Sequence, residues 1–196
     1  MEQSTTVVTS DRELVEAARR GSAHAWEKLA ARHQTPMFRL VYLLLGDEQE
    51  AEDVAQEALW RAYRELERYD TRRPFRPWLL GIAGNLAKNR LRSIGRYLRR
   101  LAQVGQRQQS PAVSLEERVL AGMQAKALWQ AVQALKASDR EIIYLRYFLD
   151  LSVEETAQAV DIAQGTVKSR LHRALNRLRT VIEADYPLLL EDYAHE

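Results

Sequence analysis

Residues 164–179 read QGTVKSRLHRALNRLR, and their apolar and basic members sort onto opposite sides of one helix. At about 100° per residue, Val167, Leu171, Leu175 and Leu178 fall in one narrow stripe. Thr166, Ser169, Arg170, Arg173, Asn176 and Arg177 cover the other side, with Lys168 and His172 beside them. One side packs against protein; the other meets an anion. From 162 to 182 there are five Lys or Arg and no Asp or Glu, which favours nucleic acid over an ordinary salt-bridged surface.

The preceding residues give this helix a context. Ser152-Val153-Glu154-Glu155 is an S-x-x-E capping box that opens a helix continued by Thr156, Ala157, Ala159 and Val160. A short turn, Asp161-Ile162-Ala163, then leads into the basic helix. The unit reads as helix-turn-helix, in which the first helix braces the second and the second enters the major groove of DNA. Small Ala157 suits a close helix crossing, and Gly165 with Thr166 suits a helix entry whose free N–H groups meet a phosphate.

The rest of the chain is consistent with a protein that meets both a polyanion and a protein. Its 196 residues, 46% hydrophobic, suffice for one large or two small cores, and the net charge of +2 averages over segments of opposite sign. Residues 47–57 hold six acids and no base; residues 61–100 hold twelve Lys or Arg against three acids; residues 183–196 hold five acids and no base. With no cysteine, disulfides and thiolate metal sites are excluded. The start MEQSTTVVTS lacks the features of a signal peptide, and the longest apolar run, at 40–45, is far below the roughly 20 residues a bilayer requires. A cytoplasmic location without membrane insertion is expected. His24, His33, His172 and His195 are scattered and read as surface or groove residues. No Gly-rich phosphate loop, metal-ligand spacing or nucleophile beside a base is present, so no enzyme, cofactor or metal is expected.

Helical periodicity dominates, and the fold class is all-α: two small helical domains joined by a flexible linker, the second carrying the helix-turn-helix. Ser10-Asp11-Arg12-Glu13 is a capping box for a first helix closed by Gly21. Ser22 caps a helix through about His33; Pro36 opens another to Leu45, stopped by Gly46. Helices follow over about 48–69 and 77–94. The pattern fails over 95–114, the expected linker, and then resumes over 115–135 with Leu120, Met123, Ala127, Leu128, Ala131 and Leu135 inward. Ser138-Asp139-Arg140-Glu141 caps a helix through Leu149. Domains are thus expected at 10–94 and 115–182, followed by an acidic tail at 183–196 that is disordered or makes weak self-contacts.

Within the first domain, Ala51, Val54, Ala55, Ala58, Leu59, Ala62, Tyr63 and Leu66 follow the helical rule as a buried side. Asp53, Gln56, Glu57, Trp60 and Arg64 lie opposite, and a Trp centred in a polar, acidic side has the character of an anchor for a basic protein. In the next helix Trp78, Leu79, Ile82, Ala83 and Leu86 point inward, while Asn85, Lys88, Asn89 and Arg92 align where they reach bases and phosphates together. Just before it, residues 72–78, RRPFRPW, mix basic and aromatic groups that hold an unpaired base and its backbone.

Taken together these motifs resemble bacterial sigma factors of the extracytoplasmic-function (ECF) type, which keep only sigma regions 2 and 4. Glu52-Asp53-Val54-Ala55-Gln56-Glu57-Ala58 with Trp60-Arg61-Ala62-Tyr63 is similar to the family's core-polymerase-binding helix. Phe75-Arg76-Pro77-Trp78-Leu79 and Ile82-Ala83-Gly84-Asn85-Leu86-Ala87 resemble its −10 reader. Asp139-Arg140-Glu141, Leu145-Arg146-Tyr147 and residues 165–174 resemble its −35 reader. The resemblance implies a function: binding core RNA polymerase and directing promoter-specific initiation. Asp53, Gln56, Glu57, Trp60 and Arg64 would dock on the β′ coiled coil, and the β flap is a second polymerase contact. Arg76, Asn85, Lys88, Asn89 and Arg92 would engage and melt the −10 element. Thr166, Lys168, Ser169, Arg170, His172, Arg173 and Arg177 would serve the −35 element, with Arg173 on a guanine edge and Lys168 or Arg177 on phosphates. Promoter DNA and core polymerase are the implied partners, and an anti-sigma protein is a further one left open. At Gly84 many members carry Arg, so one phosphate contact is not carried over. A stand-alone helix-turn-helix regulator is the alternative; it gives no reason for Trp60 or for a second nucleic-acid helix.

Overall fold

The computed structural model describes residues 9–103, 123–187 and 189, and among them eight α-helices and no strand. The all-α expectation holds. In chain order they are α1 (Asp11–Arg19), α2 (Ala23–Leu45), α3 (Glu48–Glu65), α4 (Phe75–Gln103), α5 (Met123–Gln133), α6 (Ala137–Ile143), α7 (Val153–Val160) and α8 (Gln164–Asp185). A 3₁₀ turn, Leu66–Arg68, follows α3, and a π turn, Tyr144–Phe148, follows α6.

The punctuation acts largely as its chemistry dictates. Ser10 and Ser152 each form both halves of a capping box, with Glu13 and Glu155. Gly46 ends α2 at φ 77°, a left-handed conformation that glycine adopts without steric cost, and its N–H donates to the Tyr42 carbonyl at 2.8 Å. Asp47 then caps α3 by accepting from the Glu50 N–H.

Four elements differ from expectation. The two helices predicted over 22–45 are one, with Pro36 inside α2. An unbroken apolar side, Leu29, Met37, Leu40, Val41 and Leu44, spans the proline, and Arg32, whose carbonyl loses its helical donor, is exposed to water. Helix α4 runs on to Gln103, well into the segment expected to be linker, because Arg96, Leu98, Leu101 and Gln103 are good helix formers. Ser138 is not a cap: α6 begins at Ala137 with Lys136 at its N-cap, a side chain with no acceptor for a cap bond, and Glu141 pairs instead with Lys88. The helix expected through Leu149 breaks at Ile143 into the π turn. Leu120 and, in the acidic tail, Leu188 and residues 190–196 lie outside the described residues.

The packing also revises three side chains, among them Leu128, expected inward but 38% exposed. His33 is buried, not on the surface, because its ring packs on Phe75 at 5.3 Å while Asp11 meets Nε2 at 2.7 Å. Tyr63 is half exposed and leans on Trp26 at 5.1 Å. Residues of both expected domains share one buried cluster, in which Leu40, Leu79, Leu80 and Ala83 join Tyr144, Leu145, Leu151 and Ala159. A smaller cluster of Leu135, Ile143 and Ala174, flanked by Leu171, Leu178 and Val181, holds α8 against α6.

Candidate nucleic-acid interface

On α8, Val167 and Ala174 are fully buried and Leu171, Leu175 and Leu178 half-buried, which turns the polar side outward. Thr166, Lys168, Ser169, His172 and Arg173 are exposed there. Ser169 donates its hydroxyl to the Thr166 carbonyl at 3.1 Å, and Asn176 pairs with His172 at 3.3 Å. Arg170 is half-buried at the edge. Arg177 is placed differently from the rest: its guanidinium donates to the Asp139 carboxylate at 2.5 Å, and that carboxylate is almost fully buried. Arg177 is thus committed to bracing α8 on α6.

The α4 set is split more sharply. Asn85, Asn89 and Arg92 are exposed, but Lys88 donates to the Glu141 carboxylate of α6 at 2.7 Å. The Glu141 side chain is 3% exposed and that of Lys88 19%. Burial pushes the Glu141 carboxyl above its ordinary value, while Lys88 and Arg170 pull the other way. Arg76 donates to the Leu149 carbonyl at 2.7 Å.

The loop before α4 is fixed by an aromatic cluster, in which Tyr69 lies 4.6 Å from Trp78 and 5.6 Å from Phe75, ring centre to ring centre. Tyr69 donates its hydroxyl to the Arg73 carbonyl, and burial, with Asp11 and Asp70 nearby, pushes its pKa up to about 12. Beside this loop is an open cavity of about 520 Å³ lined by Arg12, Arg32, Tyr69, Arg73, Phe75 and Arg76, among others. Glu155 of α7 also lines it. Of its four guanidinium groups, Arg12 is paired to Glu16, Arg32 to Asp11, which also lines the cavity, and Arg76 to the Leu149 carbonyl; Arg73 over the aromatic floor suits a nucleotide and its phosphate.

A separate surface belongs to α3, where Asp53, Gln56, Glu57, Trp60 and Arg64 are all exposed as expected. Trp60 is 57% exposed, and the Arg64 guanidinium carbon sits 4.5 Å from its ring centre. That cation–π contact orients the indole before any partner arrives. Glu57 accepts from Arg61 at 2.6 Å.

Sequence reasoning missed the contacts between the two halves of the chain: Gly81 against Ala159 of α7, Gln133 and Arg140 at the C-terminus of α2, and Glu141 against Lys88 of α4. The available signal was Asp139-Arg140-Glu141 inside an otherwise apolar stretch; all three are buried.

Comparison with known proteins agrees with this architecture. Residues 29–97 match the model of Sigma-70 region 2, and residues 125–178 match that of Sigma-70 region 4. The ECF RNA polymerase sigma factor SigL of Mycobacterium tuberculosis is 35% identical over 86% of this chain and 95% of its own. The corresponding figures for SigW of Bacillus subtilis are 30%, 84% and 92%. Among solved structures, CnrH in complex with the cytosolic domain of CnrY is similar with a TM-score of 0.65 at 26% identity, covering 89% of this chain and 98% of that one. Two all-α units, a basic helix in one and a helix-turn-helix in the other, define a transcription initiation factor of the sigma-70 type. The chain belongs to the ECF RNA polymerase sigma factors, which direct promoter-specific transcription. None of its described helices is long and apolar enough to cross a membrane.

Proposed function

We propose that this chain binds core RNA polymerase through the α3 face and reads a promoter in two pieces, −10 through α4 and its loop, −35 through α8. The observation that carries this reading is the coexistence, in one chain, of an exposed acidic face centred on Trp60 and two separate basic helix faces. An acidic, aromatic face repels DNA and fits a basic protein surface such as the β′ coiled coil, with the second domain meeting the β flap. Arg173, exposed at mid-helix, is the reader of a guanine edge; Lys168 meets a phosphate. Asn85, Asn89 and Arg92 track the −10 strand, and the arginine-lined cavity beside Phe75 receives an unstacked base. The chain positions and melts DNA without covalent chemistry of its own and works in the cytoplasm, where polymerase and chromosome are. An anti-sigma protein is a further partner, a reading supported by the complex of CnrH with the cytosolic domain of CnrY.

Run-off transcription with core polymerase on a promoter library tests the reading: initiation that depends on this chain is expected. Tight, sequence-specific duplex binding that polymerase leaves unchanged would favour a stand-alone regulator. Trp60→Ala is expected to cost about 2–4 kcal/mol in polymerase affinity, measured by titration of labelled core, while leaving duplex binding by the second domain intact. Equal loss of both would remove Trp60 from the docking face.

A further inference from the structure

The loop that feeds α4, residues 69–74, makes little apolar contact of its own beyond Tyr69: Arg72, Arg73 and Pro74 are exposed, and Arg72, Arg73 and Arg76 crowd like charges together. Such a segment stays at the mobile end of a fold unless something outside it holds it. Helix α1 supplies that hold. Carbonyls at the end of the 3₁₀ turn after α3 have no helical donor, and Arg19, the last residue of α1, serves two of them. One edge of its guanidinium donates through Nε to the Leu66 carbonyl at 2.8 Å and through Nη2 to the Tyr69 carbonyl. A charged fork on two carbonyls fixes orientation as well as distance.

From that anchor the loop is built residue by residue. Tyr69 leaves the turn extended, at φ −66° and ψ 131°, and its N–H donates to the Leu66 carbonyl at 3.2 Å. Its buried ring stands against Phe75 and Trp78, and its hydroxyl donates to the Arg73 carbonyl. The Arg73 N–H in turn donates to the Asp70 carbonyl at 3.0 Å. The place of Tyr69 thus sets the place of Arg73, which lines the cavity beside Phe75. The far end of the loop is held from the other end of the same helix, since Asp11 meets His33 at 2.7 Å and the His33 ring supports Phe75. Between the two holds, Leu14, Val15 and Ala18 bury α1 in the core.

We propose that α1 is a clamp on this loop and that Arg19 is a positioning residue for strand capture: it fixes Tyr69, and through Tyr69 the Arg73 guanidinium, where an unstacked base and its phosphate are received. The proposal rests on reading the cavity beside Phe75 as that receiving site. Arg19 itself is half-buried, with its guanidinium committed to the two carbonyls, so it acts through the loop and touches no strand. A loop ordered in advance loses less freedom when the base enters, which favours capture.

Arg19→Gln in the full chain is the test, with Arg19→Lys beside it. Gln loses both charge and fork; Lys keeps the charge but serves one carbonyl at a time. Hydrogen–deuterium exchange read by mass spectrometry is expected to be faster in a peptide covering residues 66–76 of Arg19→Gln and unchanged in α3 and α8. With core polymerase on a promoter from the run-off library, permanganate reactivity of the unpaired thymines is expected to fall about tenfold for Gln and less for Lys. Affinity for labelled core polymerase is expected to stay at the wild-type value. Core affinity and opening falling together would mark a role in stability alone and overturn the proposal, and so would unchanged exchange in the loop. Arg73→Ala separates the clamp from the site it serves. Full opening by Arg19→Gln beside impaired opening by Arg73→Ala removes the clamp only; full opening by Arg73→Ala removes the receiving site itself, and the proposal with it.

Discussion

Helices α4 and α8 carry the same kind of surface, basic and amide side chains on one side of a long helix, yet they differ in how much of it is free. On α8 the outward groups Lys168, Ser169, His172 and Arg173 face solvent. On α4 Asn85, Asn89 and Arg92 are exposed, but Gly81 and Gly84 beside them are buried and Lys88 is paired to Glu141. The difference teaches that charge pattern sets what a surface is able to bind, whereas packing sets when it is available. An exposed lysine gains a phosphate at little cost; Lys88 must first leave a buried carboxylate, and stranding that carboxylate is expensive.

The sharpest test of the contrast concerns Arg177, which lies on the open helix but is used internally. Arg177→Ala leaves Asp139, almost fully buried, without its cation. A loss of about 2–3 kcal/mol in the second domain's stability is expected, read from urea unfolding followed by circular dichroism. An unchanged midpoint with weaker DNA binding would return Arg177 to the open face. Next in size is Arg173→Ala, expected to cost about 1–3 kcal/mol for a cognate −35 duplex and to relax preference at one position. Uniform weakening across sequences would make Arg173 a phosphate contact. On the covered helix, Arg92→Ala is expected to weaken promoter opening by the holoenzyme by about 1 kcal/mol while leaving the free chain's radius of gyration unchanged. If the radius grew, Arg92 would belong to the domain contact.

The contrast also marks how far the sequence could be read. The faces of α3 and α8 were legible because each is decided within its own helix: periodicity places Val167, Leu171, Leu175 and Leu178 inward and Trp60 outward without knowledge of any neighbour. The state of α4 was not, because it depends on partners far along the chain. Lys88 and Glu141 are separated by 53 positions, and Arg140 and Leu44 by 96. Glu141 also satisfied a local capping rule that the tertiary ion pair overrode, and Pro36 satisfied a local breaking rule that the apolar side of α2 overrode. Two short-range rules thus failed where long-range packing supplied a larger energy.

The supports beneath the two helices differ in kind, which leads to the smallest expected effect. Helix α8 rests chiefly on the apolar contacts of Leu135, Ile143 and Ala174, whereas the loop feeding α4 rests on Phe75, and Phe75 on His33, which Asp11 holds. Burial raises the Asp11 carboxyl, but His33 and Arg32 outweigh it and bring the group below its ordinary value of 3.8. A carboxylate depressed in the folded state contributes stability that is fully present above its unfolded value and is lost as pH falls through the depressed one. Asp11 should therefore stabilise the first domain at neutral pH, and that contribution should shrink only below the ordinary carboxylate value. Urea midpoints of wild type and Asp11→Asn, followed by tryptophan fluorescence, are expected to differ at neutral pH and to converge as pH falls below the ordinary carboxylate value. A gap constant across that range would mean that shape and neutral hydrogen bonding, without charge, hold His33 beneath Phe75. The acid sensitivity of the covered helix would then have to arise elsewhere than in its foundation.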